Sequence, residues 1–195
     1  MNSADKKLIV LDIDNTLIYG CHHEIAGLDY GVYSIDKDVY RIYKRPYVDQ
    51  FLDYCFKTFK VGIWSSACME HIENVIDHLK IDKSKLEFIY DAKKCTQRRT
   101  EHYNNYLIVK KFHKLKKKGY DLSQIIGIDD NRWAYELNRG NLVRVSCWEG
   151  TNDRSDREWL LNDQELLLLI DYLETIKDVP DIRNIWKEHW KKILK

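Results

Sequence analysis

Residues 7–17, KLIVLDIDNTL, constrain this chain more than any other stretch. Leu8, Ile9, Val10 and Leu11 form an unbroken apolar run too short for a buried helix, which predicts the central strand of a sheet covered on both faces. The run ends in Asp12-Ile13-Asp14-Asn15-Thr16, so two carboxylates stand just past its last apolar position. Acids held together at a strand end repel one another unless a cation lies between them. In open α/β sheets that end is also where ligands bind. A lone Asp-x-Asp after a strand serves equally as a solvated, Asx-capped turn, so the rest of the chain decides.

The pattern recurs twice. Lys60–Trp64 reads as a second buried strand ending in Ser65-Ser66, and residues 124–128 run into Asp129-Asp130-Asn131. Strand, helix and strand within about thirty residues mark a βαβ unit, hence a parallel sheet. Three β-runs therefore bring Asp12 and Asp14, Ser65, and Asp129 and Asp130 to one sheet edge, with Lys110 interrupting the apolar segment 107–112 between them.

Around this frame, Val32, Ile35, Val39, Tyr40, Ile42 and Tyr43 form two β-rich runs about Asp36-Lys37-Asp38, predicting an inserted hairpin at about 31–44 after a loop-like stretch 20–31. Pro46 suits the first position of a helix whose Val48, Phe51, Leu52, Cys55, Phe56 and Phe59 face the core. A second helix carries Met69, Ile72, Val75, Ile76 and Leu79 on one face. Residues 142–145 predict a last strand, and two helices, 160–176 and 182–194, close the chain, the second with Trp186 and Trp190 as packing residues. His22-His23 lacks a third ligand at helical spacing and reads as loop, and the lysines at 114 and 116–118 read as a solvated helix end.

At 195 residues the chain reads as a single domain, 1–195, with its C-terminal helices at about 159–195. Its 32 basic and 31 acidic residues nearly cancel, which argues against a protein that coats nucleic acid. Five cysteines, none in a CxxC pair, fit a reducing, intracellular setting rather than a disulfide scaffold or zinc ribbon. No signal peptide and no membrane-length apolar run is visible, so neither a membrane nor a nucleic-acid partner is expected.

Paired carboxylates, a strand-end hydroxyl, a lysine and a second acidic pair together suit phosphoryl transfer to a carboxylate. An aspartate can attack phosphorus and form an aspartyl-phosphate. Its charge repels a phosphate dianion, so a hard cation is needed; Mg²⁺ suits Asp12 with Asp129 or Asp130. Ser65 can donate to a phosphate oxygen and Lys110 can face the charge that builds on it. Asp14 can protonate the leaving alkoxide and then activate water. No GxxxxGK[ST] is present, which disfavours a nucleoside-triphosphate enzyme.

LDIDNT resembles the DxDx[TV] signature of the haloacid dehalogenase superfamily, and the order Asp12/Asp14/Thr16, Ser65, Lys110, Asp129/Asp130 is similar to that superfamily's four motifs. Residues 44–52, KRPYVDQFL, resemble the RPxxxxFL stretch of phosphatases acting on the C-terminal domain (CTD) of RNA polymerase II, and the predicted hairpin resembles the insert of the small CTD phosphatases. Residues 62–66, 97–99 and 176–194 look more like the ubiquitin-like-domain-containing CTD phosphatase, without its ubiquitin-like module or a BRCT-type tail.

The resemblance, over roughly residues 6–195, implies an α/β fold: a haloacid-dehalogenase-like Rossmannoid parallel sheet flanked by helices, with a small β-hairpin insert after the first strand. It further implies Asp12 as nucleophile and Asp14 as general acid/base. Asp12, the Asp14 main-chain carbonyl and Asp130 would hold Mg²⁺ with Asp129 close behind, and Thr16, Ser65 and Lys110 would bind phosphate and fix the motif geometry. Ser65 stands where small CTD phosphatases usually carry threonine, which keeps the hydroxyl. The loop expected at 96–105 differs in length from theirs, with Arg98 and Arg99 as candidates for binding residues beside the phosphate.

The implied activity is a Mg²⁺-dependent protein serine/threonine phosphatase acting on a phosphoserine peptide like the polymerase CTD, with a nuclear setting. A phosphatase for a small metabolite or a nucleic-acid 3′-phosphate is the second reading, because fold does not decide substrate. The third is a non-catalytic interaction module, against which the retention of both Asp12 and Asp14 counts.

Overall fold

The structure, a computed structural model, describes residues 6–25, 27, 28, 30–35, 38–99, 106–150 and 154–194. In chain order its strands and helices are β1 (Leu8–Leu11), β2 (Ile18–Cys21), β3 (Tyr30–Ile35), β4 (Asp38–Lys44), α1 (Val48–Thr58), β5 (Lys60–Trp64), α2 (Met69–His78), β6 (Leu86–Tyr90), β7 (Thr96–Arg99), β8 (Tyr106–Val109), α3 (His113–Lys116), β9 (Ile125–Asp129), β10 (Leu142–Arg144), α4 (Arg154–Leu161) and α5 (Glu165–Ile176).

Five strands pair in the order β10-β9-β1-β5-β6, all parallel, with β1 in the middle. Every residue of β1 is buried because both faces are covered, as its unbroken apolar run requires. Ile9 and Leu11 pack with Phe51 and Leu52 of α1, Ile72 and Val75 of α2, and Leu166 and Leu169 of α5. Leu8 and Val10 point the other way, into an aromatic layer of Trp64, Phe112 and Tyr135. At Gly127 of β9 a side chain would overlap the Tyr135 ring, so the strand there needs glycine to let that layer close.

Register fixes the site. Leu11 lies opposite Ile63 on one side and Ile128 on the other, so Asp12, Trp64 and Asp129 leave the sheet in one row. The expected α/β fold, a parallel sheet flanked by helices, is what the chain adopts.

The insert is larger than a hairpin. β3 and β4 pair as expected, but β2 pairs with β4 as well, from Ile18↔Lys44 to Cys21↔Arg41, giving an antiparallel sheet in the order β2-β4-β3. The stretch 20–31 expected as loop thus gives its ends to β2 and β3, while residues 26, 29, 36 and 37 lie outside the described residues. Pro46 does not open α1. Tyr47 takes a left-handed conformation (φ 64°) and the helix begins at Val48, whose N–H donates to the Arg45 carbonyl. β6 forms the sheet edge unforeseen, and the expected loop at 96–105 begins as β7, paired with β8; residues 100–105 lie outside the described residues.

The chain end departs most. The helix expected at 160–176 is two, α4 and α5, broken where the Asp163 carboxylate accepts from the Glu165 N–H. The helix expected at 182–194 is replaced by 3₁₀ turns at Ile182–Asn184 and Trp190–Lys192. There the buried Lys187 ammonium donates to the carbonyls of Ile182 (2.5 Å) and Ile185 (2.7 Å), and the Trp190 indole donates to the Arg144 carbonyl. Trp190 packs as expected; Trp186 does not, and stands 69% exposed.

Candidate active site

Asp12 leaves β1 with its N–H still donating to the Ile128 carbonyl, and the chain then folds back on itself. The N–H groups of Thr16, Leu17 and Ile18 all converge on the Ile13 carbonyl, a turn tight enough to need Asn15 in the left-handed region (φ 59°). Asparagine tolerates that conformation better than most residues. The buried Arg45 clamps the turn from behind: it donates to the Thr16 carbonyl and forms a two-pronged ion pair with Asp163, both bonds 3.0 Å.

This turn buries Asp12 and leaves Asp14 half-buried, with the Thr16 hydroxyl beneath them. That hydroxyl accepts from the Asp130 N–H and lies 3.4 Å from both Asp12 Oδ2 and Asp130 Oδ1, tying the β1 turn to the β9 end. From the end of β5, the buried Ser65 places its Oγ, which accepts from the Ala67 N–H, 3.5 Å from Asp14 Oδ2. From the end of β8, Lys110 enters fully buried, its backbone held by Ala134 and Asn138. Its Nζ sits 2.5 Å from Asp12 Oδ1 and 2.5 Å from Asp129 Oδ2.

Burial, with Asp129 close by, pushes the Asp12 carboxyl well above the usual carboxylate range, against the pull of Lys110. Burial pushes Asp129 up too. Burial also works against the Lys110 charge, but the carboxylates of Asp12 and Asp129 outweigh it and hold the ammonium above its ordinary value. One ammonium does not balance three acids. Oxygens from Asp12, Asp129 and Asp130 all lie within 4.8 Å of one another, with no nitrogen or sulfur donor among them. Such an all-oxygen set suits a hard divalent cation, which would let all three ionise.

These groups line a cleft of about 180 Å³ with Asp14, Asn15, Ser66, Ile108, Asn131 and Ala134. The structure thus brings together Asp12, Asp14, Lys110, Asp129 and Asp130 along the cleft, with the Thr16 hydroxyl against Asp12 and Asp130 and the Ser65 hydroxyl against Asp14. Neither Arg98 nor Arg99 lines the cleft; both lie on β7, where Arg98 pairs with Glu136 at 2.7 Å. One neighbour went unread in the sequence: the buried His71 of α2, whose Nε2 lies 2.7 Å from Asp14 Oδ1. Its only signal was a polar residue four positions before the core-facing Val75.

The family model described as NLI interacting factor-like phosphatase matches residues 7–183. Nuclear envelope morphology protein 1 of Saccharomyces cerevisiae is 28% identical over 198 residues, covering 95% of this chain and 42% of that protein. A CTD phosphatase-like protein of Invertebrate iridescent virus 3 is 30% identical over 196 residues, covering 91% of this chain and 100% of that protein. The human CTD small phosphatase-like protein is 27% identical over 180 residues, 91% of this chain and 58% of its own length. The chain thus spans about half the length of the yeast and human relatives. A variant of the fission yeast RNA polymerase II CTD phosphatase Fcp1, solved with beryllium fluoride, shares the fold at a TM-score of 0.57 and 16% identity, over 97% of this chain and 61% of that one.

Proposed function

The chain belongs to the NLI interacting factor-like phosphatases, the haloacid-dehalogenase-like CTD phosphatase family, and from that premise we propose that it hydrolyses phosphoserine in proteins through an aspartyl-phosphate on Asp12. The observation that carries the reading is the joining of Asp12, Asp129 and Asp130 around one buried lysine, with Asp14 on the same turn.

In this reading Lys110 occupies Asp12 Oδ1 and leaves Oδ2, near only the Thr16 hydroxyl among the described contacts, to attack phosphorus. The bond from phosphorus to the serine oxygen breaks, and Asp14 gives that oxygen its proton. Asp14 then takes a proton from water as the water attacks the same phosphorus, and the Asp12–phosphate bond breaks to release phosphate. Asp12, Asp129 and Asp130, with the Asp14 carbonyl, would hold Mg²⁺, which supplies positive charge for the phosphate oxygens. Ser65 and Lys110 face those oxygens and Thr16 fixes the turn. Arg98 and Arg99, on a strand paired with β8, would meet the peptide outside the cleft rather than the phosphate itself.

A protein segment is favoured over a metabolite by apolar surface at the cleft: Ile108, which lines it, is 39% exposed. We read residues 1–195 as one catalytic unit working on a CTD-like phosphopeptide in the nucleus. No helix among the described residues is long and apolar enough to cross a membrane. The test is phosphate release from a phosphoserine heptad peptide and from a small aryl phosphate, each with Mg²⁺ and with EDTA. Mg²⁺-dependent turnover of the peptide well above the aryl phosphate is expected. Aryl phosphate turnover alone redirects the substrate search to metabolites or nucleic-acid ends, and no turnover by folded protein overturns the enzyme reading.

A further inference from the structure

Asp14 is 37% exposed at its side chain, yet one of its oxygens is fixed from the protein interior. His71 Nε2 lies 2.7 Å from Asp14 Oδ1, and the other ring nitrogen, Nδ1, is hydrogen-bonded to the Tyr33 hydroxyl. The imidazole is buried in the first turn of α2, ringed by Tyr33 and Tyr40 of the insert, each 5.8 Å from it centre to centre. Burial, with Tyr40 and Asp14 nearby, pushes the Tyr33 phenol upward, so it remains an O–H donor. With a neutral ring, Tyr33 donates to Nδ1 and Nε2–H donates to the Asp14 carboxylate; in either protonation state Nε2–H faces Asp14 Oδ1. A helix face that otherwise buries Ile72, Val75 and Ile76 would be served as well by an apolar side chain here. An imidazole with both nitrogens engaged in line with a half-exposed carboxylate does something more specific than fill space.

We propose that His71, held by Tyr33 of the inserted sheet, is a positioning residue for Asp14: it ties up Oδ1 and turns Oδ2, the oxygen beside Ser65 Oγ, toward the leaving group. This rests on the reading of Asp14 as the general acid/base. It also gives the insert a place in the chemistry, because β3 supplies the group that orients the histidine.

The experiment compares leaving groups. A serine alkoxide must be protonated as it departs, whereas a nitrophenolate leaves without help. A fault in Asp14 as acid therefore slows the first, phosphoryl-transfer step with the peptide and spares that step with the nitrophenyl ester. The attack of water that follows, with Asp14 as base, is common to both. In rapid-mixing runs followed over the first turnover, His71→Phe is expected to slow release of the serine peptide about 10- to 100-fold and the nitrophenolate burst from p-nitrophenyl phosphate less than about threefold, while steady-state kcat falls for both. His71→Gln, which keeps an N–H donor, restores peptide turnover to within about fivefold of wild type, and Tyr33→Phe loses about three- to tenfold. In an Asp14→Asn background, His71→Phe adds less than about a twofold loss, since two residues acting through one atom are not additive. Equal slowing of the first step on both substrates, or additive losses in the double variant, overturns the positioning role and leaves the phosphatase reading intact. Wild-type protein that turns over neither substrate sinks both. Circular dichroism of each variant separates these outcomes from unfolding.

Discussion

Two of the buried lysines, Lys110 in the cleft and Lys187 in the C-terminal segment, are treated in opposite ways. Lys110 lies between the carboxylates of Asp12 and Asp129, which hold it charged against burial. Lys187 donates to the carbonyls of Ile182 and Ile185, with Asp181 as its acidic influence, and burial pushes it down to about 8. Burial is common to both; the partners differ. A fixed positive charge is kept where two acids need it, and at the chain end the lysine serves as a hydrogen-bonding strut. The first is expensive to remove, the second cheap.

Lys110→Met tests the contrast most severely. It leaves two buried carboxylates facing each other, and a broken buried pair costs about 3–5 kcal/mol. Melting should fall sharply, and kcat by about 100- to 1000-fold where refolded protein is assayed. Lys110→Arg should not rescue it, since a guanidinium is too broad for a site built around one Nζ. A variant melting within a degree or two of wild type would erase the distinction between the two lysines.

The second effect comes from added cation. If three acids share one ammonium, Mg²⁺ at about ten times its Kd should raise the melting temperature by about 3–5 °C, and Asp130→Asn should remove most of that gain. Calorimetry with and without EDTA reads it directly. An equal rise in Asp130→Asn would place the binding elsewhere.

The smallest effect belongs to Lys187. Folded, it loses its proton near 8, whereas the unfolded chain keeps it up to the ordinary 10.5. Between those values the unfolded state binds more protons, so this group's burden on the fold fades as pH rises. The difference in melting temperature between wild type and Lys187→Met should shift toward wild type from pH 8 to 10. A flat difference would mean that Lys187 titrates as a solvent-exposed lysine does.

The same two regions show what a sequence discloses. The cleft was legible because its parts are local: an apolar run too short to be anything but a strand ends in acids, and parallel register then aligns the three strand ends. Arg45 could be seen but not its task, because its partner Asp163 lies 118 residues away. His71 sat unnoticed in an apolar stripe for the same reason; its meaning comes from Tyr33, which reaches it from another sheet. At 182–194 the helical spacing of Ile185, Trp186, His189, Trp190 and Ile193 is real. Tertiary bonds override it, since Lys187 and Trp190 draw on carbonyls a regular helix would not offer them. β2 was hidden by its brevity and by Gly20 in its middle.

The central claim is that Asp12 carries the phosphoryl group, and trapping that intermediate tests it most directly. Asp14→Asn protein mixed with p-nitrophenyl phosphate and Mg²⁺ should form the acyl phosphate without needing the acid, then stall for want of the base. Quenching with borohydride, which reduces an acyl phosphate to an alcohol, should leave homoserine at position 12 by peptide mass spectrometry, and none without substrate. Nitrophenolate release with position 12 unmodified, or with the mark on another residue, would contradict the account.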